Sequence, residues 1–173
     1  MRTLILGGAR SGKSALAERM AMASGHDVVY IATAQAHDDE MAARIAHHRS
    51  RRPGQWHIVE EPLALASALK MHARPGRCVL VDCLTLWLSN LLGHEDRLRF
   101  ESERNALLDV LPSLTGQVLF VSNEVGLGVV PLGELTRRFV DEAGRLHQAL
   151  AGKCETVLFV AAGLPLALKG SLA

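Results

Sequence analysis

The sequence predicts an α/β fold in which a mostly parallel sheet lies between helices. Three observations carry this. Short apolar runs recur along the chain without the in-and-out alternation of a half-wet strand, so they read as strands buried on both faces. Segments of helical length and period separate them. A glycine-rich turn joins the first run to the first helix.

The runs are residues 3–6, 28–32, 78–81, 118–121 and 157–161, with 56–59 as a further candidate strand. Helices are expected over 12–23, 38–50, 62–72 and 98–111. The third opens on Pro62, which suits a first helical turn. Leu135, Phe139, Ala143, Leu146 and Leu150 recur at helical spacing and predict one more long amphipathic helix. Strands alternating with helices make βαβ units, hence a doubly wound sheet.

At 173 residues, one domain spanning 1–173 is expected. Hydrophobic residues make up 49% of the chain, enough for a sizeable core and too many for a disordered or fibrous protein. The net charge of +1 argues against broad nucleic-acid or anionic-membrane binding. Aromatics are only 4%, which disfavours a stacking platform for single-stranded nucleic acid. The three cysteines, Cys78, Cys83 and Cys154, form no pair of metal or disulfide spacing and fit a reducing compartment. No secretory apolar region and no apolar stretch of about 18 residues is visible, so a cytoplasmic protein is expected.

Gly7, Gly8, Ala9, Arg10, Ser11, Gly12, Lys13 and Ser14 fit G-x-x-x-x-G-K-[ST] between a predicted strand and a predicted helix. Glycines let the backbone curl so that successive amides point at phosphate oxygens, and the helix N-terminus adds its positive end. Lys13 is expected on the β- and γ-phosphates and the Ser14 hydroxyl on Mg²⁺. Leu80-Val81-Asp82 ends an apolar strand on a carboxylate, where ligands of such sheets gather. Asp82 is read as a metal residue, or as an N-cap for a segment starting at Leu84. No N-K-x-D guanine-reading motif is present, which disfavours a switch-type GTPase.

The stretch 38–52 is acidic at its start and basic at its end, as the helix dipole favours. Arg44, His47, His48 and Arg51 follow three- and four-residue steps and share a face. Their chemistry fits a solvated helix, a phosphate site, or an anion site whose neutral imidazole attacks phosphorus. The other histidines, His147 among them, stand apart in sequence and give a zinc site little support. Asn123 and Glu124 end the fourth strand before a loop with two glycines and a proline, where they would meet a substrate hydroxyl or the metal. Arg137, Arg138, Asp141 and Arg145 read as a solvated face or a phosphate contact. Thr33, Ala34 and Gln35 follow the second strand at the same edge.

The phosphate loop, Tyr30-Ile31-Ala32-Thr33-Ala34-Gln35, Asp39-Glu40-Met41 with Arg44-Ile45 and His47-His48, and Asn123 to Pro131 together resemble the bifunctional adenosylcobinamide kinase / adenosylcobinamide-phosphate guanylyltransferase family of cobalamin biosynthesis. The resemblance runs to about Lys169 with its blocks in order. It implies a RecA-like phosphate-loop core, often trimeric. It implies two reactions: phosphorylation of adenosylcobinamide by GTP or ATP, then transfer of GMP from GTP to give adenosylcobinamide-GDP. A histidine of the family carries GMP covalently, and His47 is the better match, with His48 second. The resemblance also implies nucleotide contacts from Gly7 to Ser14, from Thr33, Ala34 and Gln35, from Arg51, Arg52, Pro53 and Gly54, and from Glu60 or Glu61. The alternative is a small-molecule kinase with the same loop and no nucleotidyl transfer.

Overall fold

The first apolar run becomes β1 (Arg2–Gly7), and the helix after the glycine turn is α1 (Lys13–Ala23). There follow β2 (Asp27–Ala32), β3 (His57–Glu60), α2 (Leu65–His72), β4 (Arg77–Asp82), α3 (Leu84–Leu92) and α4 (Arg97–Val110). A 3₁₀ turn at Leu111–Ser113 leads to β5 (Gln117–Asn123), then α5 (Glu134–Lys153), β6 (Thr156–Ala161) and β7 (Leu164–Lys169). The computed structural model describes residues 1–35 and 54–172.

The seven strands form one sheet in the order β3-β2-β4-β5-β1-β6-β7. Every pairing is parallel except β6 with β7. Successive residues of a strand point to opposite faces, and the two cores follow from that. Leu4 and Leu6 join Val29, Trp87, Phe120 and Leu146 on the side of α2 to α5, while Ile5 joins Ala17, Ala21, Tyr30 and Leu80 on the side of α1. Trp87 is fully buried and its ring N–H donates to the Leu63 carbonyl at 2.8 Å, so its one polar atom is satisfied.

The structure differs from the sequence reading at several points. The helix expected from Pro62 starts at Leu65 instead. The Glu61 carboxylate accepts from the amides of Leu63 (3.0 Å) and Ala64 (2.7 Å), holding a turn just ahead of the helix. Asp82 does not cap α3. Cys83 occupies the N-cap position, and the Asp82 carboxylate accepts the Tyr30 hydroxyl at 3.0 Å. β7 had no counterpart in the expected strands. Within the α5 stripe, Ala143, Leu146 and Leu150 are buried, whereas Leu135 at the N-terminal end is exposed. The helix expected over 38–50 lies outside the described residues.

The sheet's outer joints are charged. Arg2, at the start of β1, pairs with Glu155 just before β6 and also donates to the Leu111 carbonyl at 2.7 Å. Hydrogen bonding from Arg2 pulls the Glu155 carboxyl from 4.5 down to about 2. A depressed acid stabilises the fold above its unfolded pKa, and that contribution disappears as pH falls through the folded value. The midpoint of thermal unfolding is therefore expected to drop between pH 4.5 and about 2, and Glu155→Gln should flatten this limb. The change should be modest because Glu155 is half exposed. Thermal melts of both proteins across that range check it, and an equally steep limb in the variant would refute it.

Candidate functional site

In a parallel sheet, ligands collect at the carboxyl ends of the strands, and the described candidates lie at or beside this edge. The loop after β1 stands next to the end of β5, with Gly7 opposite Asn123 in the register. One strand further, Asp82 ends β4 opposite Val121. Ala32, Asp82 and Glu60 sit level across β2, β4 and β3.

The loop has the curl expected of a phosphate cradle. Gly12 has φ +96° and Arg10 φ +56°, conformations in the left-handed region. The Ser11 amide donates to Gly8 at 3.2 Å, and the Leu16 amide to Gly12 at 3.0 Å. From the far side, the β6–β7 turn braces the loop through the Gly163 amide, which donates to the Ser11 carbonyl at 2.8 Å. Lys13 folds back over the loop and donates from Nζ to the Gly8 carbonyl at 3.1 Å. It is buried, and desolvation lowers its pKa, opposed by the nearby Cys83 and Asp82. An ammonium held inside the loop on a carbonyl is positioned to exchange that partner for phosphate oxygens. Among the described residues, the buried Ser11 hydroxyl has no hydrogen-bond partner.

Thr33 is fully buried, and its hydroxyl joins two strand ends. It donates to the Cys83 carbonyl at 2.7 Å and accepts the Cys83 amide at 2.9 Å. Asn90 of α3 donates to the Thr33 carbonyl at 2.8 Å and to the Pro62 carbonyl at 3.1 Å. The Thr33 side chain thus aligns the edge, and its hydroxyl is already engaged there. The Cys83 thiol is pushed up to about 11 by burial and stays protonated, an inert filler. Glu60 and Glu61 differ in kind: Glu61 is held by the turn before α2, and Glu60 ends β3 with its side chain exposed. Gly54 and Gln35 are exposed too. His47, His48, Arg44, Arg51, Arg52 and Pro53 lie outside the described residues.

Residues 3–168 match the family described as cobinamide kinase / cobinamide phosphate guanyltransferase. The chain belongs to this family. Over 170 residues it is 65% identical to the bifunctional adenosylcobalamin biosynthesis protein CobP of Pseudomonas aeruginosa, spanning 98% of each chain. It is 38% identical over 182 residues to the protein of Escherichia coli called bifunctional adenosylcobalamin biosynthesis protein CobU, covering 98% of this chain and all of that one. Among solved structures, the RadB recombinase superposes with a TM-score of 0.52 at 20% identity, over 91% of this chain and 73% of that one. A Pyrococcus horikoshii OT3 protein superposes at 0.56 and 9% identity, over 99% and 87%. These two likenesses show a shared fold, the recombinase one of the RecA-like kind.

For this member of the cobinamide kinase / guanyltransferase family, sequence reading missed a buried polar group behind the site. Thr85, Ser122 and His147 come from α3, β5 and α5, and all three are buried. Ser122 Oγ lies 3.2 Å from Thr85 Oγ1 and 2.7 Å from His147 Nε2. No spacing links these residues, so only the tertiary fold reveals them. The arginines of α5 are engaged locally: Arg137 donates to the Pro131 carbonyl at 3.2 Å, Arg138 lies 5.7 Å from the centre of the Phe100 ring, and Arg145 pairs with Glu142 at 2.5 Å.

Proposed function

We propose that this chain phosphorylates adenosylcobinamide with a nucleoside triphosphate and then transfers GMP from GTP to adenosylcobinamide phosphate, releasing pyrophosphate and giving adenosylcobinamide-GDP. Family membership supports the pair of reactions. The observation that carries the chemistry is Lys13, buried inside a curled loop with its ammonium on the Gly8 carbonyl. We assign the triphosphate tail to Gly7 through Ser14, where amides, helix N-terminus and Lys13 meet its charge. Ser14 and Asp82 offer a hydroxyl and a carboxylate, the hard oxygen donors Mg²⁺ takes beside phosphate and water, so these residues fit the ion. When bound, Mg²⁺ neutralises charge on the phosphates.

In the guanylyl half, a ring nitrogen of His47 attacks the α-phosphorus of GTP. The N–P bond forms as the bond to pyrophosphate breaks. A phosphate oxygen of adenosylcobinamide phosphate then attacks the same phosphorus, and the histidine departs. Arg44 or Arg51 stabilises the charge that develops. In the kinase half, the loop presents the γ-phosphate to the substrate hydroxyl, with Glu124 and Asn123 as its orienting groups. We further assign a cytoplasmic, trimeric protein. Among the described residues no helix is long and apolar enough to cross a membrane.

Incubating the protein with α-labelled GTP, denaturing it and weighing it tests the histidine directly. A GMP-sized adduct is expected on wild type and on His48→Ala, and none on His47→Ala. An adduct retained by His47→Ala and lost in His48→Ala would move the nucleophile one residue on. No adduct on wild type, together with intact kinase turnover, would replace this reading by a kinase without nucleotidyl transfer.

A further inference from the structure

His147 lies in the apolar stripe of α5, beside Leu146 and close to Leu150, where a leucine would bury without any polar cost. It is 7% exposed, and both its ring nitrogens face polar partners. Nε2 lies 2.7 Å from the Ser122 hydroxyl, and Nδ1 faces Glu124 Oε2 at 3.8 Å. The other carboxylate oxygen of Glu124 accepts the Gly126 amide at 2.5 Å. The Glu124 amide donates to the Gly7 carbonyl, the first residue of the phosphate loop, at 3.0 Å. Glu124 is thereby held from two sides, backbone to the loop and one oxygen to its own turn, while its other oxygen faces an imidazole in the core at 3.8 Å.

One direction of donation satisfies both hydroxyls and Nε2 and leaves Nδ1–H facing the Glu124 carboxylate across 3.8 Å, longer than a hydrogen bond. Thr85 accepts the Asn123 amide at 2.6 Å and gives its proton to Ser122; Ser122 gives its own to Nε2; Nδ1–H then points at Glu124. This arrangement needs a neutral imidazole. Burial, the larger influence on His147, lowers its pKa and favours that form, while the Glu124 charge acts the other way.

We propose that His147 is a positioning residue for phosphoryl transfer, fixing the Glu124 carboxylate beside the phosphate loop through a chain anchored on Ser122 and Thr85. This rests on the reading of the loop edge as the transfer site and adds to it a residue that touches neither substrate. A carboxylate displaced by about an ångström orients a hydroxyl poorly, and such misplacement lowers turnover on the order of 10- to 100-fold.

The test is a kinetic cycle on the full chain, with adenosylcobinamide and GTP as substrates. His147→Leu keeps the apolar packing and removes both polar contacts. It is expected to lower kcat by about 10-fold or more with little change in the KM for GTP. His147→Gln, which keeps a donor, should recover part of that loss. In a Glu124→Gln background, His147→Leu should have almost no further effect, because the group it positions is gone. Ser122→Ala, a smaller change that leaves the helix intact, should show the same non-additivity and serves if His147→Leu fails to fold. Losses that multiply in the double variants, or a kcat unchanged by both His147→Leu and Ser122→Ala, would overturn the proposal. Failure of the underlying assignment would show differently, as wild-type protein that transfers no phosphate to adenosylcobinamide.

Discussion

Lys13→Ala is expected to lower kcat/KM for GTP-dependent phosphorylation of adenosylcobinamide on the order of 10³-fold, the scale seen when one well-placed donor to developing charge is removed. The ammonium is buried, and its present partner is a loop carbonyl, which a triphosphate would replace. The guanylyl adduct should fall with it if, as proposed, both reactions draw on the same loop. Stability should move the other way or not at all. Burial already disfavours the charged form of this lysine, so deleting it relieves a desolvation cost. Lys13→Arg should not restore activity, because a planar guanidinium cannot take the place of a compact ammonium inside the curl. Steady-state kinetics beside a thermal melt check all of this. Turnover within tenfold of wild type, or a collapse in melting temperature, would refute it.

Gly7→Ala should damage fold and site together. A methyl group there would sit 2.4 Å from the Val160 carbonyl oxygen and 2.6 Å from the Ser11 hydroxyl, closer than real side chains come to either. Val160 is the direct partner of Gly7 in the β1–β6 pairing, so the clash is with backbone that cannot swing away. Overpacking of this kind costs roughly 1–3 kcal/mol, or about 2–12 °C in melting temperature. Nucleotide affinity should fall with it, because β1 launches the loop. Gly8→Ala is the control: among the described residues nothing lies within 4 Å of the added atom, and stability near wild type is expected. Melts and GTP titrations of the two variants compare them. Equal behaviour would show that the crowding at Gly7 does not matter.

The strand, glycine turn and helix at the start of the chain were legible because all their determinants are local: a buried run, φ-permissive glycines and a helix opening at Lys13. Asp82 was legible for a similar reason, as a carboxylate ending an apolar strand. β7 was hidden by its composition. Leu164, Leu166 and Leu168 face outward and Pro165 interrupts the run, a pattern tolerated only at the sheet edge where β7 sits. Six of the nine residues of α3 are apolar and they crowd both sides of Thr85, so period alone does not separate a buried helix from a strand. Glu60 and Glu61 are neighbours of one type, and only the turn before α2 tells them apart. His147 gave no signal at all, because Ser122 and Glu124 become its neighbours only once α5 has docked on β5.

The hydrogen bond from Gly163 to Ser11 has a consequence for the newborn chain. The loop proposed to grip the triphosphate is synthesised well before the β6–β7 hairpin that braces it, and β1 itself lies between β5 and β6. A ribosome-bound fragment carrying the whole loop motif would still lack the wall that shapes it. A triphosphate bound there would therefore meet a finished cradle only once the β6–β7 hairpin has been made, so such a ligand would reward completed folding but could not template its beginning.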